Sequence, residues 1–284
     1  FTNNKTQEDV VKEVVDLAKN QKVIFIHGTC GSGKSAIALN IGRVLGRASI
    51  VVPVKALQKQ YEEDYITKKY LRKADGRKMK IAMIPGRDNH DSVIVPGVPC
   101  SDQSLPDTIL ITEKNRDKLL EYYNQNPFIK NKTIININHL RRISIAPSNP
   151  YWSPIMAADY VLLQLDDARR KHYKGINGRE YIFYHRKEGC SYYDQFQAYL
   201  DADVIIFNSA KYEIEMAIGR KPKTEIDIID EADAFLDNFS KEESINLTRL
   251  GTSLQNIFPE SEEAQDKLRE IRELLIFEKK NKAV

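Results

Sequence analysis

Apolar residues recur along the first ninety positions in two alternating rhythms. Val10, Val11, Val14, Val15, Leu17 and Ala18 mark one face of a helix over Gln7–Lys19. Val23–Ile26 is a short run rich in β-branched residues, closed by His27-Gly28, and reads as a buried strand. A helix over Lys34–Leu45 stops at Gly46. Ile50–Val52 predicts a strand, Ala56–Tyr70 a helix and Lys80–Ile84 a third strand. Strand and helix alternate, which predicts a parallel sheet covered by helices.

The rhythm changes after Pro85. Most of the 11 prolines fall between Pro85 and Pro154, so residues 90–190 read as an insertion built differently. Within it, Thr108–Thr112 and Thr133–Ile137 read as short strands or parts of helices. Alternation resumes with buried strands at Asp203–Asn208 and Glu225–Asp230. From Ser240 to Lys282 the chain reads as helical and charged. Leu247, Leu250, Leu254 and Ile257 form one amphipathic stretch, and Leu268, Ile271, Leu274 and Leu275 a second, with Pro259 between them.

Composition narrows the class. With 284 residues, 42% hydrophobic and 29% charged, and a mean hydropathy of -0.48, the chain reads as a soluble globular protein. Its apolar runs are far shorter than the roughly 18–20 residues of a membrane span. The N-terminus carries no apolar signal core, and Cys30, Cys100 and Cys190 lie far apart, so a cytoplasmic or nuclear protein is expected. A net charge of +3 permits nucleic-acid binding without demonstrating it.

The chemistry concentrates in two places. Gly28-Thr29-Cys30-Gly31-Ser32-Gly33-Lys34-Ser35 matches G-x-x-x-x-G-K-[ST], after a predicted strand and at the start of a predicted helix. Glycines let backbone N–H groups converge on phosphates, and the helix N-terminus adds a favourable dipole. Lys34 would reach the outer phosphates of ATP and the Ser35 hydroxyl would bind Mg²⁺. Ile226-Asp-Ile-Ile-Asp230-Glu231-Ala-Asp233 ends a strand in acids. Asp230 would hold Mg²⁺ and Glu231 would polarise the attacking water.

Further elements carry a resemblance. Asp230-Glu-Ala-Asp233 resembles the second motif of superfamily 2 helicases, and Val51-Val-Pro-Val-Lys55-Ala-Leu57-Gln58 is similar to their motif Ia. Gly86-Arg87-Asp88-Asn89 resembles the Gly-Arg-x-Asn element that precedes the iron–sulfur insertion of XPD- and DinG-like helicases. Gly189-Cys190-Ser-Tyr192-Tyr193 is similar to the Cys-Pro-Tyr that closes it. The resemblance implies Gln7 at the adenine, and Lys55, Gln58, Arg87, Asn89 and Tyr192 on single-stranded or forked DNA. Iron–sulfur members use four cysteines in this insertion. Here it holds Cys100 and Cys190, so a [4Fe-4S] cluster is not expected.

The expected fold is α/β: a RecA-like P-loop NTPase domain (1–89 and 191–239), interrupted by an iron–sulfur-domain-like insertion (90–190). A helical arch-like segment (240–284), able to self-associate, follows. No motif III or motif VI is found, so the chain reads as the N-terminal half of an ATP-dependent DNA helicase, completed by a second motor domain and hydrolysing ATP weakly alone. The alternative is another P-loop NTPase, such as a small-molecule kinase or a transport ATPase.

Overall fold

The computed structural model describes residues 5–29, 31–132, 136–159, 165–239, 247–255, 257, 259 and 261–281. Its strands are β1 (Ala48–Val52), β2 (Ile81–Ile84), β3 (Ile155–Ala157), β4 (Arg169–Lys174), β5 (Glu180–His185), β6 (Val204–Asn208) and β7 (Ile226–Ile229). The helices of the first half are α1 (Gln7–Leu17), α2 (Lys34–Leu45), α3 (Lys55–Tyr61), α4 (Arg116–Gln125) and α5 (Arg142–Ile145). Those of the second are α6 (Ser191–Asp194), α7 (Ala198–Asp201), α8 (Ser209–Ala217), α9 (Ala232–Phe239), α10 (Leu247–Gln255) and α11 (Glu262–Asn281). The chain divides into two compact units, Phe1–Phe235 and Leu236–Val284.

The first unit is built on a parallel sheet of order β2-β6-β1-β7. Ile50 pairs with Ile206, Ile81 with Val204 and Ala48 with Ile226. Side chains alternate between two cores, as the pleat requires. Ala48, Ile50, Val52, Val204 and Ile206 pack with Leu39, Tyr61 and Met79 on one face. Val51, Ile84, Ile205 and Phe207 turn to the other.

An antiparallel sheet, ordered β3-β5-β4, covers that second face and brings Tyr181 and Phe183 into the same core as Phe207. A chain of ring contacts runs Phe183–Phe196–Tyr199–Phe207–Tyr212–Phe235, with centroids 5.3–6.2 Å apart. Tyr173 and Tyr181 donate their hydroxyls to the carbonyls of Arg220 and Ile218. The small sheet is thus a wall of the same core, and its removal would strip one face of the parallel sheet.

Two of the ionic nodes inside this unit centre on buried carboxylates, Glu215 and Asp107. Glu215 is fully buried and is met by Arg220 Nε at 2.8 Å and Lys211 Nζ at 2.9 Å. Arg87 Nη1 bonds the buried Asp107 carboxylate at 2.7 Å, and its guanidinium lies 4.4 Å over the Tyr192 ring. Asp107→Asn is expected to cost about 2–4 kcal/mol, because it leaves a half-buried guanidinium without its counter-charge. A urea midpoint within error of the unsubstituted chain would contradict this role.

Some expected elements differ. Val23–Ile26 forms no strand, and Val23 and Phe25 are 69% and 81% exposed. A buried strand needs cover on both faces. Here Ile24 packs on the core formed by α1 and α2, while its neighbours face outward. The helix expected over Ala56–Tyr70 ends at Tyr61 and widens into a π-helical stretch, Glu62–Thr67. Residues 108–112 are turn and loop; residues 133–135 lie outside the described residues, and Ile137–His139 is a 3-10 turn. Cys100 and Cys190 are both buried, and Cys100 Sγ donates to Asp91 O at 3.4 Å. The neighbouring thiols act on each other, lowering Cys190, helped by the N–H groups of Tyr193 and Tyr192, and raising Cys100.

In the second unit, α10 and α11 flank Pro259, and Arg272 Nη2 ties them by donating to Leu254 O at 2.6 Å. Leu268 is buried there, and Ile271, Leu274, Ile276 and Phe277 are exposed. No helix of the described residues is long and apolar enough to cross a membrane.

Candidate nucleotide site

The phosphate loop leaves the Val23–Ile26 segment and ends on α2. Gly31 and Gly33 have φ of +78° and +81°, in the left-handed region that costs glycine least. A Cβ on Gly33 would fall 2.1 Å from Gln7 Nε2, so any larger residue would have to push the Gln7 amide aside as well as adopt the left-handed backbone. Gly33 caps α2 without a side-chain hydrogen bond. The first N–H groups of the helix therefore face outward, which suits an anion. The Ser32 hydroxyl is buried without a protein partner in the same loop. These features fit a polyphosphate.

Gln7 reaches this loop because α1 starts where it does. Thr6 and Asp9 form a reciprocal capping box that fixes the first turn. Gln7 Nε2 then donates to Ser32 O at 3.1 Å. Lys34 Nζ donates to Gly28 O at 3.3 Å and lies 3.8 Å from Glu231 Oε1. The two strongest motifs, 200 residues apart in sequence, therefore meet. Thr29 is exposed, and Cys30 lies outside the described residues.

The acids stand at the end of β7. Asp230 N donates to Val51 O at 2.9 Å, which carries the ladder one residue past the strand. Glu231 then takes φ of +52°, unusual for a residue with a side chain, and turns the chain into α9. Such strain costs on the order of 1–3 kcal/mol and clusters at functional sites.

Sequence reasoning missed one member. Tyr61, 1% exposed, donates its hydroxyl to Asp230 Oδ2 at 3.2 Å. Burial first, and the Asp230 charge second, push this phenol far above its usual range, so it stays a donor. Its position three residues after Gln58 on α3 is the signal that was there to read.

The remaining expected residues scatter. Lys55 opens α3 and is exposed beyond the carboxyl end of β1. Gln58 is buried, with Nε2 3.4 Å from Ile206 O. Asn89 is exposed and bonds Gly86 O at 3.2 Å, just beyond β2. Tyr192 is buried beneath Arg87, in the core shared with the parallel sheet. Lys55, Arg87, Asn89 and Asp230 all follow carboxyl ends of parallel strands, the edge where such sheets bind ligands.

Residues 1–137, just under half of the chain, match a family model described as "Type III restriction enzyme, res subunit". The match makes this stretch similar to a superfamily 2 helicase-like ATP-binding domain. It spans the phosphate loop, Lys55 and Arg87, and stops before Asp230 and Glu231. No curated protein and no solved structure matches the chain.

Proposed function

We propose that the chain is the ATP-binding motor half of a DNA helicase of the XPD/DinG-like group, working on single-stranded DNA with a second motor domain. The observation that carries this reading is the approach of Lys34 to Glu231 beside Asp230 and Ser35. The insertion supports the finer assignment, because it leaves the sheet after Gly86-Arg87-Asp88-Asn89 and returns at Cys190. Two thiols do not fit a four-thiolate cluster.

In this reading the loop N–H groups, the α2 N-terminus and Lys34 hold the phosphates. Ser35 Oγ and the Asp230 carboxylate would hold Mg²⁺, which neutralises phosphate charge when bound. Glu231 orients the attacking water as a hydrogen-bond acceptor. Gln7, already seated on the loop, would read the adenine. Lys55 and Asn89 offer exposed groups to a DNA backbone, while Gln58 and Tyr192 serve the protein interior. The helices of 240–284 are the arch-like segment and a surface for self-association.

The test is binding of a labelled single strand at several salt concentrations, with ATP turnover read beside it. Affinity should fall with salt, with a log–log slope of about −0.7 for each phosphate contact, and Lys55→Ala should remove roughly one such contact. The strand should also accelerate ATP turnover. Salt-independent binding, or turnover indifferent to the strand, counts against a helicase and for another P-loop NTPase.

A further inference from the structure

We propose that Tyr61 is a positioning residue of the cation site, holding the Asp230 carboxylate in place through its phenol hydroxyl. The inference rests on the reading of Ser35 and Asp230 as the groups that hold Mg²⁺.

The two residues come from different elements, Tyr61 from α3 and Asp230 from the end of β7. Their meeting is tertiary, and no local turn forces it. Next, the ring is locked. Tyr61 sits in the core formed by Leu39, Ile50, Val52 and Met79, with Tyr65 5.9 Å away. A hydroxyl in that setting needs a partner, and an apolar ring would fill the same space without that demand. The polar end of the side chain instead meets the Asp230 carboxylate. Last, the phenol bonds one carboxylate oxygen, Oδ2. Asp230 is held at its backbone by Val51 O and at Oδ2 by Tyr61, which fixes the direction of Oδ1.

The backbone beside Tyr61 is also unusual. The helix widens over Glu62–Thr67, where Lys68 N reaches Glu63 O at 3.0 Å. Single π-helical turns of this kind recur at functional sites. This one re-aims the chain directly after the phenol.

Groups that orient metal ligands typically cost about 10–100-fold in metal affinity when removed. Tyr61→Phe keeps the ring and deletes the donor. The experiment titrates Mg²⁺ against binding of a fluorescent ATP analogue, with a parallel titration in EDTA. The Mg²⁺ midpoint should rise about tenfold, with binding in EDTA and the melting temperature unchanged. The same substitution in an Asp230→Asn background should shift the midpoint much less, because its target is gone. An unshifted midpoint overturns the proposal. So does an equal shift in the Asp230→Asn background, or a loss of binding with and without Mg²⁺ alike. If the unsubstituted chain binds the nucleotide with no response to Mg²⁺, the cation-site reading itself fails and takes this proposal with it. That failure is distinct because it appears before any substitution.

Discussion

Lys34→Ala is expected to cut ATP turnover by about 10²–10³-fold, the loss seen when one preorganised charge-stabilising donor is removed from a reacting centre. The ammonium lies beside the phosphate loop and Glu231, and no other cation of the described site reaches both. Its contribution to folding is small. Its bonds are one carbonyl at 3.3 Å and one half-exposed carboxylate at 3.8 Å, and such pairs give about 0–1 kcal/mol. Turnover and the thermal melt should therefore separate, with the first collapsing and the second staying within about 1 kcal/mol. Turnover that survives the substitution would remove the catalytic assignment of the whole loop.

Glu215→Ala should do the reverse. Burial pushes this carboxylate up, but hydrogen bonding to Arg220 and the charges of Arg220 and Lys211 outweigh it, so its net shift is downward. Deleting it leaves two cations facing each other inside the protein. Breaking a buried pair in this way costs about 3–5 kcal/mol. At roughly 2–4 °C per kcal/mol for a unit of this size, the melting point should drop by about 10 °C. The sign with pH follows from the lowered pKa. The contribution is complete above the ordinary carboxylate range and is lost as pH falls through the depressed value. At neutral pH the variant should show the whole deficit, and the gap should narrow in acid. A melting point unchanged at pH 7 would mean the network is solvated.

The parallel sheet was legible because strands buried on both faces read as unbroken apolar runs, as in Val204–Phe207. The phosphate loop was legible because its chemistry is local. β4 was not. Its Arg-Arg-Lys-His-Tyr-Lys pattern buries Tyr173 alone and gains its strand character by pairing with β5. Val23–Ile26 shows the opposite error, since its apolar run promised cover that one side lacks. Arg87 and Tyr192 were recognised by type and neighbours, but motifs carry no record of burial. Their mutual stacking comes from the packing of segments a hundred residues apart.

The register of β1 against β6 has a consequence for the nascent chain. Ala48 cannot meet Val204 until the whole insertion has left the ribosome. At about 5–20 residues per second, synthesis of the intervening stretch takes roughly 8–30 s. Through that interval Ile50, Val51 and Val52 stand with open edges and no partner strand. The protein's hazard during synthesis is therefore one of timing, and holdase chaperones would find their target in residues 48–52 before the nucleotide site exists.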